Sequence, residues 1–366
     1  MRKVLYSIGV LIPVALIVSV LSIGFVHVNS AKASPNVSCT ATGFFRDSIN
    51  LTAAVIATNN ANVTGTVNAA GCNIGVYFGS GLAGTVTAQI FGANYFGVVN
   101  DGGNVTINKS QIHDIGENPL NGDQHGVAIY FAFNSLAKGK ITNNLIWNYQ
   151  KGGIVVNGVG SSATVTNNIV IGQGAVNYIA QNGIQIGYGA KATVSNNVVT
   201  GNSYTGSGLT ASGGIIVVGG SCYGGALTIG TKINGNTVIG NDVGIWLSNL
   251  DGTSCIPTLT PTKVVVNKNI STNDAVNNTS GGGSVGVGYQ AGVADQGDLD
   301  QITTNSICGL GYTPVTPPPY LYFIDTTVTN SPVVSGNTSC LDGSPISVAS
   351  ASVTHAKKHV PASAIR

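Results

Sequence analysis

The sequence predicts an all-β solenoid of roughly ten coils, and three observations carry that prediction. Ile or Val stands three residues before an Asn again and again: Ile141 before Asn144, Val165 before Asn168, Val194 before Asn197, Ile233 before Asn236. A glycine followed by alternating apolar residues recurs as Gly153-Ile154-Val155-Val156, Gly183-Ile184-Gln185-Ile186, Gly214-Ile215-Ile216-Val217 and Gly244-Ile245-Trp246-Leu247. The glycines that mark this second strand are Gly75, Gly97, Gly126, Gly153, Gly183, Gly214 and Gly244, with a further marker at Gly286, and their near-even spacing is the length of one coil. One unit of this size cannot bury its own apolar face, so units must stack on their neighbours.

Residues 1–33 read as an address. Arg2 and Lys3 form a basic start, Val4 to Val28 is an apolar run, and Ala31-Lys32-Ala33 is a small-x-small cleavage site. Left uncut, the run is long enough to span a bilayer, although Pro13 and the cleavage site favour removal. Cleavage takes away Arg2, Lys3 and Lys32, leaving 15 − 3 = 12 basic residues against 13 acidic ones. No basic excess points to nucleic acid, and a cleaved chain has no membrane segment. With 8% charged residues and 51 glycines, solubility must rest on Asn, Ser, Thr and Gly.

Residues 34–62 are less regular and contain Phe44 and Phe45, and they are assigned as an N-terminal cap over an otherwise unpaired end. Residues 63–342 carry the repeat, which the Asn strand extends to Asn269, Asn305 and Asn337. Residues 343–366, rich in Ser, Ala, Val and Lys, read as a loose tail.

Within a coil, Asn suits a sharp bend because it enters the left-handed region more readily than other non-glycine residues, and its amide can bond the Asn above and below. Alternation sends Ile154 and Val156, Ile184 and Ile186, and Ile245 and Leu247 inward, and turns Val155, Gln185, Ile216 and Trp246 outward. A β-sandwich also has short strands and turns, but it does not keep Asn in register at a fixed coil length. Breaks in the period place loops at residues 203–212, 221–227, 251–261, 274–282 and 313–320, and such insertions often build a binding face.

The Ile-x-x-Asn and Gly-Ile-x-Val alternation resembles the secreted right-handed parallel β-helix proteins of the pectin-lyase-like class, over about Val63 to Cys340. That resemblance implies a right-handed parallel β-helix. It constrains activity weakly, because the class includes lyases, hydrolases, epimerases, phage tail-spikes and non-catalytic surface proteins.

Six cysteines allow fifteen pairings, and the coil length selects among them. Cys39 and Cys72 are 33 positions apart, Cys222 and Cys255 also 33, and Cys308 and Cys340 32, each close to one coil. Stacked strands lie about 4.8 Å apart, within disulfide reach. The expected bridges are therefore Cys39–Cys72, Cys222–Cys255 and Cys308–Cys340.

Acids and histidines concentrate once, between His113 and His125. This stretch holds Asp114, Asp123 and Glu117, the single glutamate of the chain. Stacking is expected to bring Gln124 and His125 near Tyr95 on the coil before and Lys151 on the coil after. Proton abstraction beside a uronate carboxylate needs a base and a cation, so His125 is the expected acid or base, Asp123 its orienting group and Lys151 the positive charge. His113, Glu117 and Tyr130 rank second. Asp123-Gln124-His125 resembles the Asp-Pro-His signature of mannuronan epimerases, but lacks its proline and the acid after the His. Polygalacturonase-like chemistry fits poorly, because only Arg46 and Arg366 remain after cleavage.

Tyr95, Gln124, Gln181, Tyr188 and Trp246, with Tyr77 and Tyr130, are the expected sugar contacts. No cofactor is expected, although Asp114, Glu117 and Asp123 together could hold Ca²⁺. Two functions follow. One is an exported protein that binds or processes extracellular polysaccharide, with lyase or epimerase chemistry on a uronate as its catalytic variant. The other is a non-catalytic surface protein whose rigid, disulfide-stapled rod packs against a partner or another copy, in an oligomeric state the sequence leaves open.

Overall fold

In a computed structural model, residues 38–133, 135–207, 210–279, 288–315, 320–327, 332–346 and 349–351 are described. The expected leader, the marker Gly286 and residues 352–366 lie outside them. From Phe96 on, a typical coil contains three strands, as in Gly152–Asn157, Ser162–Thr166 and Ile169–Val176, while in the first coils one long strand, such as Ala83–Phe91, spans the second and third faces. Each strand pairs in parallel with its counterparts on neighbouring coils: Ile154 stands between Ile129 and Ile184, and Val165 between Ile141 and Val194. The chain is an all-β parallel β-helix with a glycine face, an asparagine face and a third face. The repeat in the sequence shows two of these strands. The third begins directly after the Asn and repeats as well, with Ile146, Val170, Val199 and Val238 each standing two positions beyond it, so its signal was present but not separated from the Asn strand.

One core runs the length of the helix. Ile154, Ile184, Ile215 and Ile245 enter it from the glycine face, Ile141, Val165, Val194 and Ile233 from the asparagine face, and Ile146, Val170, Val199 and Val238 from the third. The marker glycines have a packing reason. A Cβ on Gly153 would lie 2.4 Å from Val170 Cγ1, and one on Gly183 2.3 Å from Val199 Cγ1, so these positions admit no side chain without displacing the inner wall. Two markers need correction. Val127 pairs with Phe96 and Gly152, which puts Ala128 in the glycine column and leaves Gly126 as a turn residue at φ 86°. Beyond Gly244 the column continues at Gly292, whose Cβ would meet Ile307 Cγ2 at 2.3 Å.

The asparagine ladder is present, but its members do not make the left-handed bend. The positive φ belongs to the residue before each of them: Asn143 (56°), Asn167 (56°), Asn196 (55°) and Gly235 (66°). The ladder residue contributes its amide. Asn197 Oδ1 accepts from the backbone N–H and the Nδ2 of Asn168, while its own Nδ2 donates to Val165 O and Asn236 Oδ1. The same set repeats through Asn236, Asn269 and Asn305, ending on Asn337. Every amide is buried, with both its oxygen and its nitrogen hydrogen-bonded, which is what a polar row inside a core requires.

The ends differ in detail from expectation. Thr40–Arg46 pairs antiparallel with Ile49–Ile56 and covers that end, but Ile49–Ile56 already pairs in parallel with Ile74–Phe78, so stacking begins before residue 63. At the other end Ala349–Ala351 adds a strand against Tyr320–Thr327, where a loose tail was expected. The three disulfides join the pairs read from coil length, with Cα separations of 5.4, 5.0 and 5.4 Å for Cys39–Cys72, Cys222–Cys255 and Cys308–Cys340.

The residues expected to face solvent from the glycine face are buried. Val155, Gln185 and Ile216 are 0% exposed and Trp246 is 1%. Alternation is right about side but not about exposure, because two apolar clusters lie on the side of this sheet away from the main core. Phe44 packs over Tyr77, Phe96 and Tyr130 in one, and Trp246 packs with Ile216 and Tyr289 in the other.

Candidate functional site

Two of the expected loops, 221–227 and 251–261, leave from the corner between the glycine and asparagine faces, but most long connections lie at the corner where the third face passes into the glycine face. They run from Ile115 to Val127, Val176 to Asn182, Tyr204 to Gly213, Thr272 to Tyr289 and Cys308 to Tyr320. The first of these holds the acid and histidine cluster.

A polar row climbs this corner. Thr52 Oγ1 donates to Asn73 Oδ1 (3.1 Å), Asn73 Nδ2 to Asn94 Oδ1 (3.1 Å), and Asn94 Nδ2 to Glu117 Oε1 (3.1 Å). His125 closes the row, its Nε2 donating to Glu117 Oε1 at 2.7 Å while its ring stacks on Tyr95 with centroids 4.0 Å apart. Burial, then the charges of Asp47, Glu117 and Asp123, push the Tyr95 phenol above its ordinary pKa. Gln150 ties the loop down: its Oε1 accepts from the backbone N–H groups of Glu117 and Asn121, and its Nε2 donates to Asp123 O.

Beside this row is a second. His113 Nδ1 donates to Asp114 Oδ2 (2.8 Å), and its ring is sandwiched between Phe91 (5.2 Å) and Trp147 (4.2 Å), the three aligned by strand register. Asn148 Nδ2 donates to Asp114 Oδ1, and Gln173 to Asn148. The bond from His113, with that from Asn148, holds the Asp114 carboxyl below its ordinary pKa.

Between the rows lies a cleft of about 670 Å³ lined by Asn73, Phe91, Asn94, Asp114, Glu117, Asn118, Leu120 and Asn148, among others. It offers four amides, two carboxylates and one aromatic ring, with no cationic side chain among its lining residues.

Several expected roles change. Lys151 is 0% exposed, and its Nζ donates to Ala180 O on the coil after, so its charge is not directed at the cleft; burial lowers its pKa to about 7. Asp123 does not orient His125, a role taken by Glu117. Its Oδ2 accepts from Asn121 Nδ2 instead. Asp114, bound to His113 and Asn148, stands outside the expected Ca²⁺ set. Ligand atoms of Glu117, Asp123 and His125 lie within 4.8 Å of one another. Exchanging a carboxylate for an imidazole makes that set less suited to Ca²⁺, which prefers oxygen alone.

The expected sugar contacts divide in the same way. Gln124 is exposed, with its Nε2 donating to Gly122 O, and Tyr95 is covered by His125. Gln181 is buried and spends its amide on Tyr149 O, Gln150 O and the Gln173 N–H. Tyr188 and Trp246 are buried, the latter donating to Gln296 Oε1, and Tyr130 is 1% exposed and stacked on Phe96. None of these three presents an open ring face for stacking on a sugar. The cleft residues missed from sequence are Asn73, Asn94, Phe91 and Asn148. Their signal was present, since Asn73 stands 21 positions before Asn94 and Asn94 stands 23 before Glu117, both near a coil length.

No family model and no curated protein sequence matches this chain. Among solved structures, the Dettilon tailspike protein is similar, with a TM-score of 0.38 and 13% identity over 78% of this chain. The match takes in 63% of that chain, so this protein spans less than two thirds of the tailspike's length.

Proposed function

We propose that this protein is an extracellular β-helix protein that binds a neutral polysaccharide in the corner cleft. The observation that carries the reading is the make-up of the lining: planar amides and carboxylates that bond sugar hydroxyls, one aromatic wall at Phe91, and no cation. A uronate carboxylate entering the cleft would meet the carboxyl groups of Asp114 and Glu117 with no lysine or arginine in the lining to pair with, and the lyase or epimerase step would lack the fixed positive charge it needs. Three disulfides support an oxidising compartment outside the cell.

Affinity electrophoresis through gels containing glucans, mannans or galactans tests this. At least one neutral polymer should retard the protein, and Phe91→Ala with Asp114→Asn should weaken that retardation about tenfold or more, with circular dichroism showing the fold retained. Equal retardation of parent and variant would refute the cleft. Release of unsaturated ends from a uronate polymer would restore the lyase reading instead.

A further inference from the structure

The asparagine face carries a charge pattern that the corner cleft does not explain. Parallel register sets Lys138 beside Ser162 and Ser162 beside Lys191, while Lys140, Thr164, Thr193 and Lys232 form the adjacent row. All four lysines are exposed, as are Thr164 and Thr193. Ser162, Thr164, Lys191, Thr193 and Lys232 line one shallow groove of about 360 Å³ across the strands. Gly230 has no side chain to fill it, and a Cβ there would lie 3.5 Å from Lys191 Nζ. Among the described residues no carboxylate lies within salt-bridge distance of any of the four ammonium groups; Asp47 is placed beside Arg46, and Asp114 and Glu117 are hydrogen-bonded by His113 and His125. The cleaved chain is nearly neutral overall, so this positive field comes from segregation of charge and not from net charge.

We infer that this face binds an acidic polysaccharide laid across the strands, a chain bearing carboxylates on its sugars. At one strand per about 4.8 Å, Lys138 and Lys191 stand about 10 Å apart and Lys140 and Lys232 about 14 Å, a reach that suits a polymer better than a single small anion. The hydroxyls of Ser162, Thr164 and Thr193 lie between the charges, where sugar hydroxyls would fall. Nucleic acid fits less well. The groove lining contains no arginine for bidentate phosphate bonding and no aromatic ring for base stacking. This surface is separate from the corner cleft, and neither reading depends on the other.

The test is affinity electrophoresis of the whole protein against polygalacturonate, dextran and a single-stranded oligonucleotide. Polygalacturonate should retard it at low salt, and retardation should fade as salt screens the exposed charges. Replacing Lys138, Lys140, Lys191 and Lys232 by Gln should weaken binding about tenfold or more, and replacing them by Arg should preserve it. Melting temperature reports folding in each variant. Phe91→Ala with Asp114→Asn should leave polygalacturonate binding intact, which separates this surface from the cleft. The inference falls if polygalacturonate does not retard the protein, if the Gln variant binds as the parent does, or if the oligonucleotide binds as tightly as polygalacturonate.

Discussion

The asparagine corner and the loop corner belong to the same coils, and they use polar residues in opposite ways. At the first, each amide from Asn144 to Asn337 meets another amide one coil away, and the connection to the next strand stays short. At the second, coils contribute Asn94, Gln150, Gln181 and Asp242 in turn, each with its own partners, and connections of different lengths emerge between them. A ladder needs the same group at the same height in every coil. Where loop length varies, that identity is lost, and the polar positions are left to hold loops, line a cleft or bury a charge. The comparison assigns stability to the first corner and chemistry to the second.

The strongest way to break this comparison is a substitution in the ladder that keeps size and changes donors. Asn197→Asp replaces the Nδ2 donor to Val165 O and Asn236 Oδ1 by a second acceptor, in a position 1% exposed. Facing oxygens and a buried charge should cost at least about 3 kcal/mol. Thermal or denaturant unfolding measures it. A melting temperature within a degree or two of the parent would show that the ladder decorates the fold without supporting it.

How much of this was legible follows from the same contrast. Ile141 through Asn236, and the cysteines one coil apart, reveal themselves because they repeat. The third strand repeats too, at Ile146, Val170, Val199 and Val238, but it follows the Asn so closely that the two read as one segment. The Ala128 column position breaks the glycine pattern, and at the bend adjacent residues such as Asn143 and Asn144 are alike, so sequence does not say which one takes positive φ. At the loop corner the concentration of His113, Asp114, Glu117 and His125 falls beside the cleft, but its pairings were not legible. Lys151 illustrates why: its place just before the strand Gly152–Asn157 fixes its Cα, while a flexible side chain reaches Ala180 O on the next coil.

Stability should also depend on pH through the charges buried at the loop corner. Burial raises Asp242 from 3.8 to about 7, although Ser203, Tyr204, Ser212 and Asn278 all donate to it, and burial lowers Lys151 from 10.5 to about 7. For Asp242 the native state binds the extra proton, so its contribution is complete below pH 4 and is lost as pH rises towards 7. Lys151 runs the other way. Its contribution is present above pH 10.5 and is lost as pH falls towards 7. Between them these two groups place a stability minimum near neutrality. Lys151→Met should raise stability at pH 7 by about 2 kcal/mol and remove the gain otherwise seen between pH 7 and 10, with the orphaned Ala180 carbonyl reducing the benefit. Melting curves across pH decide it, and a Met variant less stable than the parent at pH 7 would contradict the assignment.

The smallest effect on stability is expected where the effect on binding should be clearest. Glu117→Gln makes the converse exchange to the ladder substitution, at a side chain that is 31% exposed. Its remaining carbonyl oxygen can still accept from His125 Nε2 and Asn94 Nδ2, so the corner row can stay closed and the melting temperature should move by less than about 1 kcal/mol in equivalent free energy. What disappears is one of the two negative charges in the cleft. A neutral polysaccharide should bind within severalfold of its parent affinity, because an amide still offers hydroxyls a donor and an acceptor. An acidic oligosaccharide should gain access to the cleft that it lacked, measurable by titration calorimetry in the background of the four Lys→Gln changes that silence the asparagine face. If Glu117→Gln instead destabilises the protein as much as Asn197→Asp does, the two corners do the same work and the division between them fails.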